Sequence, residues 1–341
     1  MTTYVERFVP FEAGDGMPLN LVNVRAADTE PVRGPVLLVH GAGVRANIFR
    51  PPGQPTLVDA LIEAGYDVWL ENWRASIDLP PNEWTLDQAA VHDHPAAVRK
   101  IIEETRASEV KAVVHCQGST SFVMSALAGL VPEVTTIVTN AVSLHPVVPA
   151  WSRAKLEAVV PIVSKLAPYV SPRWGIEAPT ALARAMTLAV RATHHECRNT
   201  VCKLVSFIYG SGCPALWRHE NLTDDVHDWL RGEFAEVPLS FFRQMARCVR
   251  RGVLTTVDGL RDIPDDFADV GRTRARFAFF TGALNRCFLP DSQIRSWRHF
   301  DARRPGFHTL HVLPNYSHLD VFFGRRAAED VFPLMLAELA K

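Results

Sequence analysis

Cys116 stands where a short apolar run gives way to small residues, in Val114-His115-Cys116-Gln117-Gly118-Ser119. A thiol becomes a strong nucleophile once a neighbouring base or a helix N-terminus stabilises its thiolate. A sharp strand-to-helix turn with small flanking residues presents such a side chain above a sheet, although Val114 stands where this turn usually has Gly. His115 should point away from Cys116, because side chains alternate along a strand. The pattern predicts a nucleophilic Cys116, and a buried inert thiol is the alternative.

A histidine that could activate this thiol comes near the C-terminus, in Tyr316-Ser317-His318-Leu319-Asp320. It follows the last predicted strand and precedes the last predicted helix. That position completes the chain order nucleophile, acid, histidine. We therefore predict His318 as the general base. Asp320 could be a supporting partner of His318, but it lies too close in sequence to be the first choice.

The residue expected to orient His318 is an amide and not a carboxylate. After the apolar run 277–280, the chain reads Thr281-Gly282-Ala283-Leu284-Asn285, with Asn285 where the acid normally stands. A serine nucleophile needs that carboxylate to stabilise the imidazolium, whereas a thiol already forms a thiolate beside protonated histidine. Cys116 and Asn285 therefore explain each other, and we predict a Cys-His-Asn triad. The alternative is that Asn285 is only a turn residue.

A Gly-rich stretch, His40-Gly41-Ala42-Gly43, follows an earlier apolar run and precedes Cys116 in the chain. Acyl transfer develops a negative oxygen, and preorganised backbone N–H groups stabilise it. We predict that the N–H groups of Ala42 and Gln117 form this oxyanion hole, with His40, Gly41 and Gly43 shaping the loop.

The elements that must position these residues follow an alternating pattern. Residues 5–27 read as an antiparallel hairpin around Asp15-Gly16. Short apolar runs then alternate with helical stretches, which indicates a mostly parallel sheet covered by helices on both faces. We predict an α/β core in two parts, 1–144 and 256–341, interrupted by a helical cap at 145–255. His219 lies in this cap and could face the pocket; a position on a helix surface explains it equally well.

The overall composition indicates which classes of partner and which cellular location to expect. With 36 Lys and Arg against 37 Asp and Glu, the net charge of −1 gives no electrostatic basis for binding nucleic acid. The N-terminus has no secretory signal pattern, no apolar run could span a membrane, and six scattered cysteines form no disulfide framework. These features predict a cytoplasmic protein without a membrane span.

We also expect no metal and no cofactor. His194, His195, Cys197 and Cys202 match no familiar zinc spacing, and the chain has neither a Walker loop nor GxGxxG.

The chain resembles the α/β-hydrolase superfamily over nearly its whole length. Within it, GYDVWLENWR at 65–74 looks like the GYDVWLGNxRG strand motif of the acid-lipase-like branch. His318-Leu319-Asp320 with Phe323-Gly324 looks like the HLDFxxG segment of the same branch. The resemblance implies an α/β-hydrolase fold with a cap over an apolar pocket, and catalytic roles for Cys116, His318 and Asn285. The serine of true lipases is missing, so triglyceride lipase activity is not implied.

Three further segments resemble a subgroup of that branch: HCQGST at 115–120, RHENL at 218–222 and NRCFLP at 285–290. This subgroup is found fused to, or encoded near, glucose-methanol-choline-type (cholesterol-oxidase-like) oxidoreductases. The resemblance implies a functional association with a flavin oxidoreductase, although this chain has no flavin domain of its own.

The predicted activity is acyl transfer through an acyl-Cys116 intermediate, hydrolysing an ester, thioester or lactone whose acyl part is apolar or lipid-like. Three alternatives remain open: an acyltransferase, a cyclase, lyase or isomerase that uses the same Cys-His pair, and a non-catalytic binding protein. The sequence does not identify the substrate, the acyl acceptor or the oligomeric state.

Overall fold

The structure, a computed structural model, describes residues 3–267 and 273–341. Its strands are β1 (Tyr4–Glu12), β2 (Pro18–Ala26), β3 (Pro35–Val39), β4 (Asp67–Asn72), β5 (Val110–His115), β6 (Val134–Asn140), β7 (Tyr169–Val170), β8 (Val237–Pro238), β9 (Arg276–Gly282) and β10 (Thr309–Leu313). Eight of them form one sheet in the order β1-β2-β4-β3-β5-β6-β9-β10. β1 pairs with β2, and β2 with β4, in antiparallel orientation. All the other neighbours in this order, from β4 through to β10, pair in parallel. The mostly parallel sheet that the sequence predicts is confirmed.

The α-helices are α1 (Leu57–Glu63), α2 (Leu86–Gln88), α3 (His94–Thr105), α4 (Cys116–Ala128), α5 (Ala150–Ala154), α6 (Val160–Val163), α7 (Ala181–Thr193), α8 (Thr200–Tyr209), α9 (Asp224–Trp229), α10 (Leu239–Arg251), α11 (Pro290–Asp301), α12 (Asp320–Phe323), α13 (Ala327–Asp330) and α14 (Phe332–Leu339). π-Helical turns at Ala89–Asp93 and Lys155–Val159 continue α2 into α3 and α5 into α6. Short 3-10 helices lie at Ala46–Phe49, Pro172–Gly175, His219–Asn221 and Leu230–Gly232.

The centre of the sheet is buried on both faces. Every residue of β3 and β4 is buried, and β5 exposes only part of Lys111. Runs rich in Val and Leu suit such strands, because helices cover both sides of a parallel sheet. The carboxyl ends of β3, β5, β9 and β10 therefore meet at one edge, where the loops carrying the predicted site residues begin.

The segment between β6 and β9 is mostly helical. It contains α5 to α10, and β7 and β8 pair with each other outside the main sheet. We call residues 145–255 the helical insertion. No helix among the described residues is both long enough and apolar enough to cross a membrane.

The last helix that the sequence predicts is divided into two in the structure. The chain forms α13 and α14, separated by Val331 with φ −118°. Pro333 lies in the first turn of α14. Proline lacks an N–H and favours the first turn of a helix, so a new helix begins there.

Candidate active site

Cys116 occupies a strained turn between β5 and α4. Its φ is +53°, a left-handed value that is uncommon outside glycine and that costs about 1–2 kcal/mol in a residue with a side chain. Two glycines from different segments allow this turn to pack against the loop at 40–43. A side chain at Gly118 would overlap the carbonyl oxygen of His40, and a Cβ at Gly41 would lie 2.9 Å from the Cβ of Cys116. The turn has the geometry that presents a nucleophile at the edge of a sheet.

His318 lies beside this thiol. The Cys116 sulfur and ring nitrogens of His318 and His115 lie within 4.8 Å of one another. Cys116 is 8% exposed and His318 is 1% exposed. Nε2 of His318 is buried and makes no hydrogen bond within the described chain, so this nitrogen is free for Cys116 or a substrate.

Asn285 contacts the opposite nitrogen of the same ring. Its Nδ2 lies 3.1 Å from Nδ1 of His318. Its Oδ1 accepts the backbone N–H groups of Cys287 at 2.9 Å and Phe288 at 3.2 Å. These two donors fix which end of the amide faces the ring. The structure therefore brings together the three residues that the sequence proposed as a triad.

The surroundings of Cys116 favour its thiolate. Burial alone would raise the pKa of the thiol, but the adjacent Cys287 thiol, the His318 ring and the backbone N–H of Gln117 lower that pKa well below its usual value. Gln117 is the second residue of α4, so the positive end of the helix adds to the effect. The group is suited to nucleophilic attack near neutral pH.

The predicted oxyanion loop lies against the thiol. Gly41 and Ala42 line a small pocket together with Cys116 and His318. Gly43 has φ +67°, a left-handed backbone value that glycine adopts without strain. Burial lowers the pKa of His40 to about 3, and its Nδ1 lies 2.7 Å from the carbonyl oxygen of Gly41. His40 is therefore neutral near pH 7, and its ring contacts the backbone of the loop.

Asp320 fastens the His318 loop to the helical insertion. Its Oδ1 accepts the N–H of Ser317 at 2.7 Å. Its Oδ2 accepts the N–H of Arg218 at 3.1 Å and the side-chain amide of Asn221 at 2.8 Å. Burial raises the pKa of Asp320 to about 6 despite these hydrogen bonds. The carboxylate thus holds the loop in place and does not contact the His318 ring through any of these bonds.

His115 does not point away from the site as strand alternation predicts. Its ring centroid lies 4.7 Å from that of His318. Asn140 donates from Nδ2 to Nδ1 of His115 at 2.9 Å and to the carbonyl oxygen of His318 at 3.0 Å. The positive φ of Cys116 ends the strand geometry at this point, so alternation no longer separates the two neighbours. His115 therefore packs against the His318 ring.

A large apolar pocket opens directly above Cys116. Its volume is about 890 Å³, including its mouth. Cys116, Gln117, Cys287 and Phe288 form its base. The apolar side chains of its walls come from the helical insertion: Val148, Leu156, Val159, Val160, Val163, Val170, Met186, Phe207, Ile208, Leu239, Phe241, Phe242, Met245 and Val249. Such a lining suits a hydrocarbon chain or another apolar group.

Three polar pocket residues were missed by sequence reasoning. Cys287 lies next to Cys116, and the Cys in the segment around Asn285 was its only signal. The hydroxyl of Tyr209 is buried without a hydrogen-bond partner in the described chain, and a side chain at Gly43 would overlap it. Lys155 lines the pocket and donates from Nζ to the carbonyl oxygens of Phe207 and Gly210. No sequence pattern pointed to Tyr209 or Lys155.

His219 is not brought to the pocket. Its Nε2 lies 3.3 Å from Sγ of Cys202, inside the helical insertion. His219 lines neither the large pocket nor the small one around Cys116. Its neighbours are thiols and imidazoles, the ligand types that transition metals prefer. The three donors at Cys116, His115 and His318 have the same chemistry but belong to the cluster around Cys116 described above.

Comparison with known proteins places this geometry on a familiar fold. No family model matches the sequence. Over 134 residues, 35% of this chain, the sequence is 27% identical to sterol esterase 2 of Saccharomyces cerevisiae. That match spans only 25% of the yeast protein.

Solved structures match over almost the whole chain. A monoacylglycerol lipase from Paleococcus ferrophilus aligns with a TM-score of 0.58 and 14% identity, covering 95% of this chain and 98% of the lipase. An esterase from Thermogutta terrifontis aligns with a TM-score of 0.58 and 13% identity, covering 98% of both chains. The protein has the α/β-hydrolase fold, as the sequence predicts.

Proposed function

We propose that this protein is an esterase-type or lipase-type hydrolase that cleaves acyl groups through a covalent acyl-Cys116 intermediate. The observation that carries the proposal is the strained turn that presents Cys116 to His318 at the base of an apolar pocket. The likeness to proteins named sterol esterase, monoacylglycerol lipase and esterase supports an ester-type substrate. The usual nucleophile on this fold is serine, so the cysteine is the distinctive element of the proposal.

In the first step the Cys116 thiolate attacks the acyl carbonyl carbon. The carbonyl oxygen becomes an oxyanion, for which the N–H groups of Ala42 and Gln117 are the proposed donors. Collapse of the intermediate breaks the bond to the leaving group and leaves the acyl group on sulfur. Because Asn285 donates to Nδ1, the ring hydrogen of His318 lies on Nε2, which faces the sulfur and the leaving group. The Cys116 thiol has released its proton to solvent, and the leaving group departs as an anion that accepts a hydrogen bond from that N–H. Thioesters and activated esters, which release a thiolate or a phenolate, are therefore the favoured substrates.

Deacylation requires the other tautomer of His318, with hydrogen on Nδ1. Water attacks the acyl-sulfur carbonyl and must give a proton to a lone pair on Nε2. Nδ1 must then carry hydrogen, and Asn285 would have to turn its oxygen toward the ring. That rotation breaks the two hydrogen bonds from Cys287 and Phe288. We expect deacylation to be slower than acylation, so that acyl-Cys116 accumulates.

Transfer of the acyl group to an alcohol or amine is a second candidate reaction. The low exposure of Cys116 and the apolar walls favour it, because an apolar acceptor enters such a pocket more readily than water. We propose that the helical insertion acts as a cap that controls this access. The cytoplasmic location and the association with a flavin oxidoreductase stay predictions of the sequence.

The test is intact-protein mass spectrometry after exposure to p-nitrophenyl esters and acyl thioesters of different chain lengths. We expect an acyl adduct on Cys116 that disappears as product forms, with no adduct and no turnover in Cys116→Ala. Cys213→Ser changes an exposed thiol outside the pocket and should behave like the wild type. Full turnover in Cys116→Ala would overturn the proposal. Product without any adduct would favour the cyclase, lyase or isomerase alternative.

An added alcohol separates the two acyl acceptors. Hydrolysis predicts that free acid remains the main product when glycerol or a long-chain alcohol is present. Acyl transfer predicts that an ester of the added alcohol replaces the acid.

A further inference from the structure

Two cysteines and two histidines meet in the helical insertion, away from the residues that line the Cys116 pocket. The ligand atoms of Cys197, Cys202, His219 and His227 all lie within 4.8 Å of one another. Sγ of Cys202 lies 3.3 Å from Nε2 of His219, and the two imidazole centroids are 4.9 Å apart. Cys202 is fully buried, and the other three are half-buried. Four soft or borderline donors therefore surround one small volume.

The contact between Cys202 and His219 has a length expected between two ligands of a tetrahedral metal ion. Zinc binds thiolate sulfur at about 2.3 Å and imidazole nitrogen at about 2.0–2.1 Å, so tetrahedral ligand atoms lie roughly 3.3–3.8 Å apart. The 3.3 Å contact of Cys202 with His219 falls in this range. Nε2 of His227 is buried and has no hydrogen-bond partner among residues 3–267 and 273–341. This nitrogen is therefore available to coordinate a metal ion.

Neighbouring hydrogen bonds hold the donors in place. Asn199 accepts the N–H groups of Val201 and Cys202 through Oδ1, at 3.0 and 3.3 Å, and so begins α8. The same side chain donates from Nδ2 to the carbonyl oxygen of His227 at 2.9 Å. One asparagine thus fixes the backbone beside a cysteine and beside a histidine that are distant in sequence. The cluster is a built site and not a chance meeting of flexible side chains.

We propose that Cys197, Cys202, His219 and His227 bind one Zn²⁺ ion. Two thiolates with two imidazoles select zinc over magnesium or calcium, which prefer oxygen ligands. Four protein ligands leave no open position for substrate, so the ion is structural. The sequence alone could not reveal the site, because the cysteine and histidine pairs come from separate elements whose spacing matches no familiar zinc motif.

The ion would stabilise the part of the insertion that holds the catalytic histidine. Leu216, three residues before His219, accepts the N–H groups of His318 at 3.0 Å and Leu319 at 2.8 Å. Arg218 and Asn221 on either side of His219 bind the Asp320 carboxylate. Zinc would anchor this segment, and the segment in turn positions the His318 loop.

The test measures zinc in the full-length chain after purification under reducing conditions and passage through a desalting column. We expect about one zinc per chain by elemental mass spectrometry, and its loss in Cys202→Ser and in His227→Ala. Cys213→Ser is the matched control, because Cys213 is exposed and outside the cluster, and it should keep the ion. A chelator should lower the melting temperature of the wild type, and added zinc should restore it.

Cobalt gives a readout that needs no variant to fold. Wild-type protein loaded with Co²⁺ should show thiolate-to-cobalt charge-transfer absorption and the intense visible bands of tetrahedral cobalt. Substoichiometric zinc after incubation with the metal, together with no such absorption, would overturn the proposal. A Cys197–Cys202 disulfide in the non-reduced peptide map of the purified chain would overturn it too. Neither result would affect the acyl-Cys116 proposal, because its adduct is measured on a different residue.

Discussion

Asn285 is a hydrogen-bond donor to His318, not an acceptor. Its Nδ2 faces Nδ1 of the ring at 3.1 Å, because its oxygen is already bound by the N–H groups of Cys287 and Phe288. A carboxylate at this position would accept a hydrogen from Nδ1 and would stabilise a protonated ring. The amide instead leaves Nδ1 as a hydrogen-bond acceptor and places the ring hydrogen on Nε2. Asn285 thus still orients the His318 ring, but it makes Nε2 a poorer proton acceptor.

The first prediction therefore concerns Asn285→Asp. The carboxylate should hold a hydrogen on Nδ1 and free the Nε2 lone pair, so that deacylation accelerates. With p-nitrophenyl esters in stopped flow, we expect the burst of acyl-enzyme to shrink and the pH–rate profile to change, without total loss of activity. Asn285→Leu keeps the volume but loses the hydrogen bond, and should lower kcat by about 10²-fold. A burst and a profile equal to those of the wild type in Asn285→Asp would show that Asn285 does not orient the ring.

The second prediction tests whether the cysteine and the amide compensate each other. Cys116→Ser alone should lose at least ~10³-fold in kcat/KM, because serine needs a base that the neutral Nε2–H ring does not supply. Adding Asn285→Asp supplies the carboxylate that a serine nucleophile requires, so the double variant should recover about tenfold or more. The check is a double-mutant cycle on one ester. Additive losses would mean that the two residues act independently.

The third prediction concerns the acid limb of the pH profile. The contact of the Cys287 thiol helps to lower the pKa of Cys116, so removing it should move that pKa upward. A raised pKa means less thiolate at a given low pH, and the acid limb of kcat/KM should shift to higher pH in Cys287→Ala. Cys287→Ser keeps a hydrogen donor and should stay near the wild-type profile. If the acid limbs of kcat/KM coincide in Cys287→Ala and the wild type, Cys287 does not lower the pKa of Cys116.

Local pattern was enough to predict the main elements of the core. The antiparallel hairpin at 5–27 agrees with β1 and β2 in the structure, because strand alternation and the Asp15-Gly16 turn are local signals. The positions of Cys116, Asn285 and His318 also follow from local order, since each lies within five residues of the end of a strand. Their mutual contact follows from the topology, which brings those strand ends to one edge.

The features of the site that the sequence did not predict depend on contacts between distant segments. Tyr209 and Lys155 reach the pocket only through the packing of the helical insertion, and no periodicity encodes that packing. The direction of the Asn285 amide depends on two backbone N–H groups in the turn that follows it. His219 seemed a pocket candidate from its place in the chain, whereas the fold turns it toward Cys202.

The fourth prediction concerns Tyr209, whose hydroxyl lies beside the oxyanion loop. Burial raises its pKa well above the usual value, so the hydroxyl keeps its proton and can donate to a substrate oxygen. Tyr209→Phe should lower kcat/KM by about tenfold or more, since one oxyanion donor contributes up to ~10²–10³-fold. The same change removes a buried hydroxyl that has no hydrogen-bond partner among the described residues, so stability should stay equal or rise slightly. Unchanged kcat/KM would assign Tyr209 to packing alone.

The fifth prediction tests the close approach that lets Cys116 adopt its turn. A methyl group at Gly118 would overlap the carbonyl oxygen of His40, and backbone atoms cannot rotate away as a flexible side chain can. Gly118→Ala should therefore cost about 1–3 kcal/mol in the free energy of unfolding, measured by urea denaturation. The overlap should push the loop at 40–43 away from α4, so kcat should fall as well. Gly34→Ala is the control, since the nearest atom to an added Cβ there is 4.0 Å away and its stability should change little. Equal stability of the two variants would mean that the loop and the helix are less tightly packed than the structure indicates.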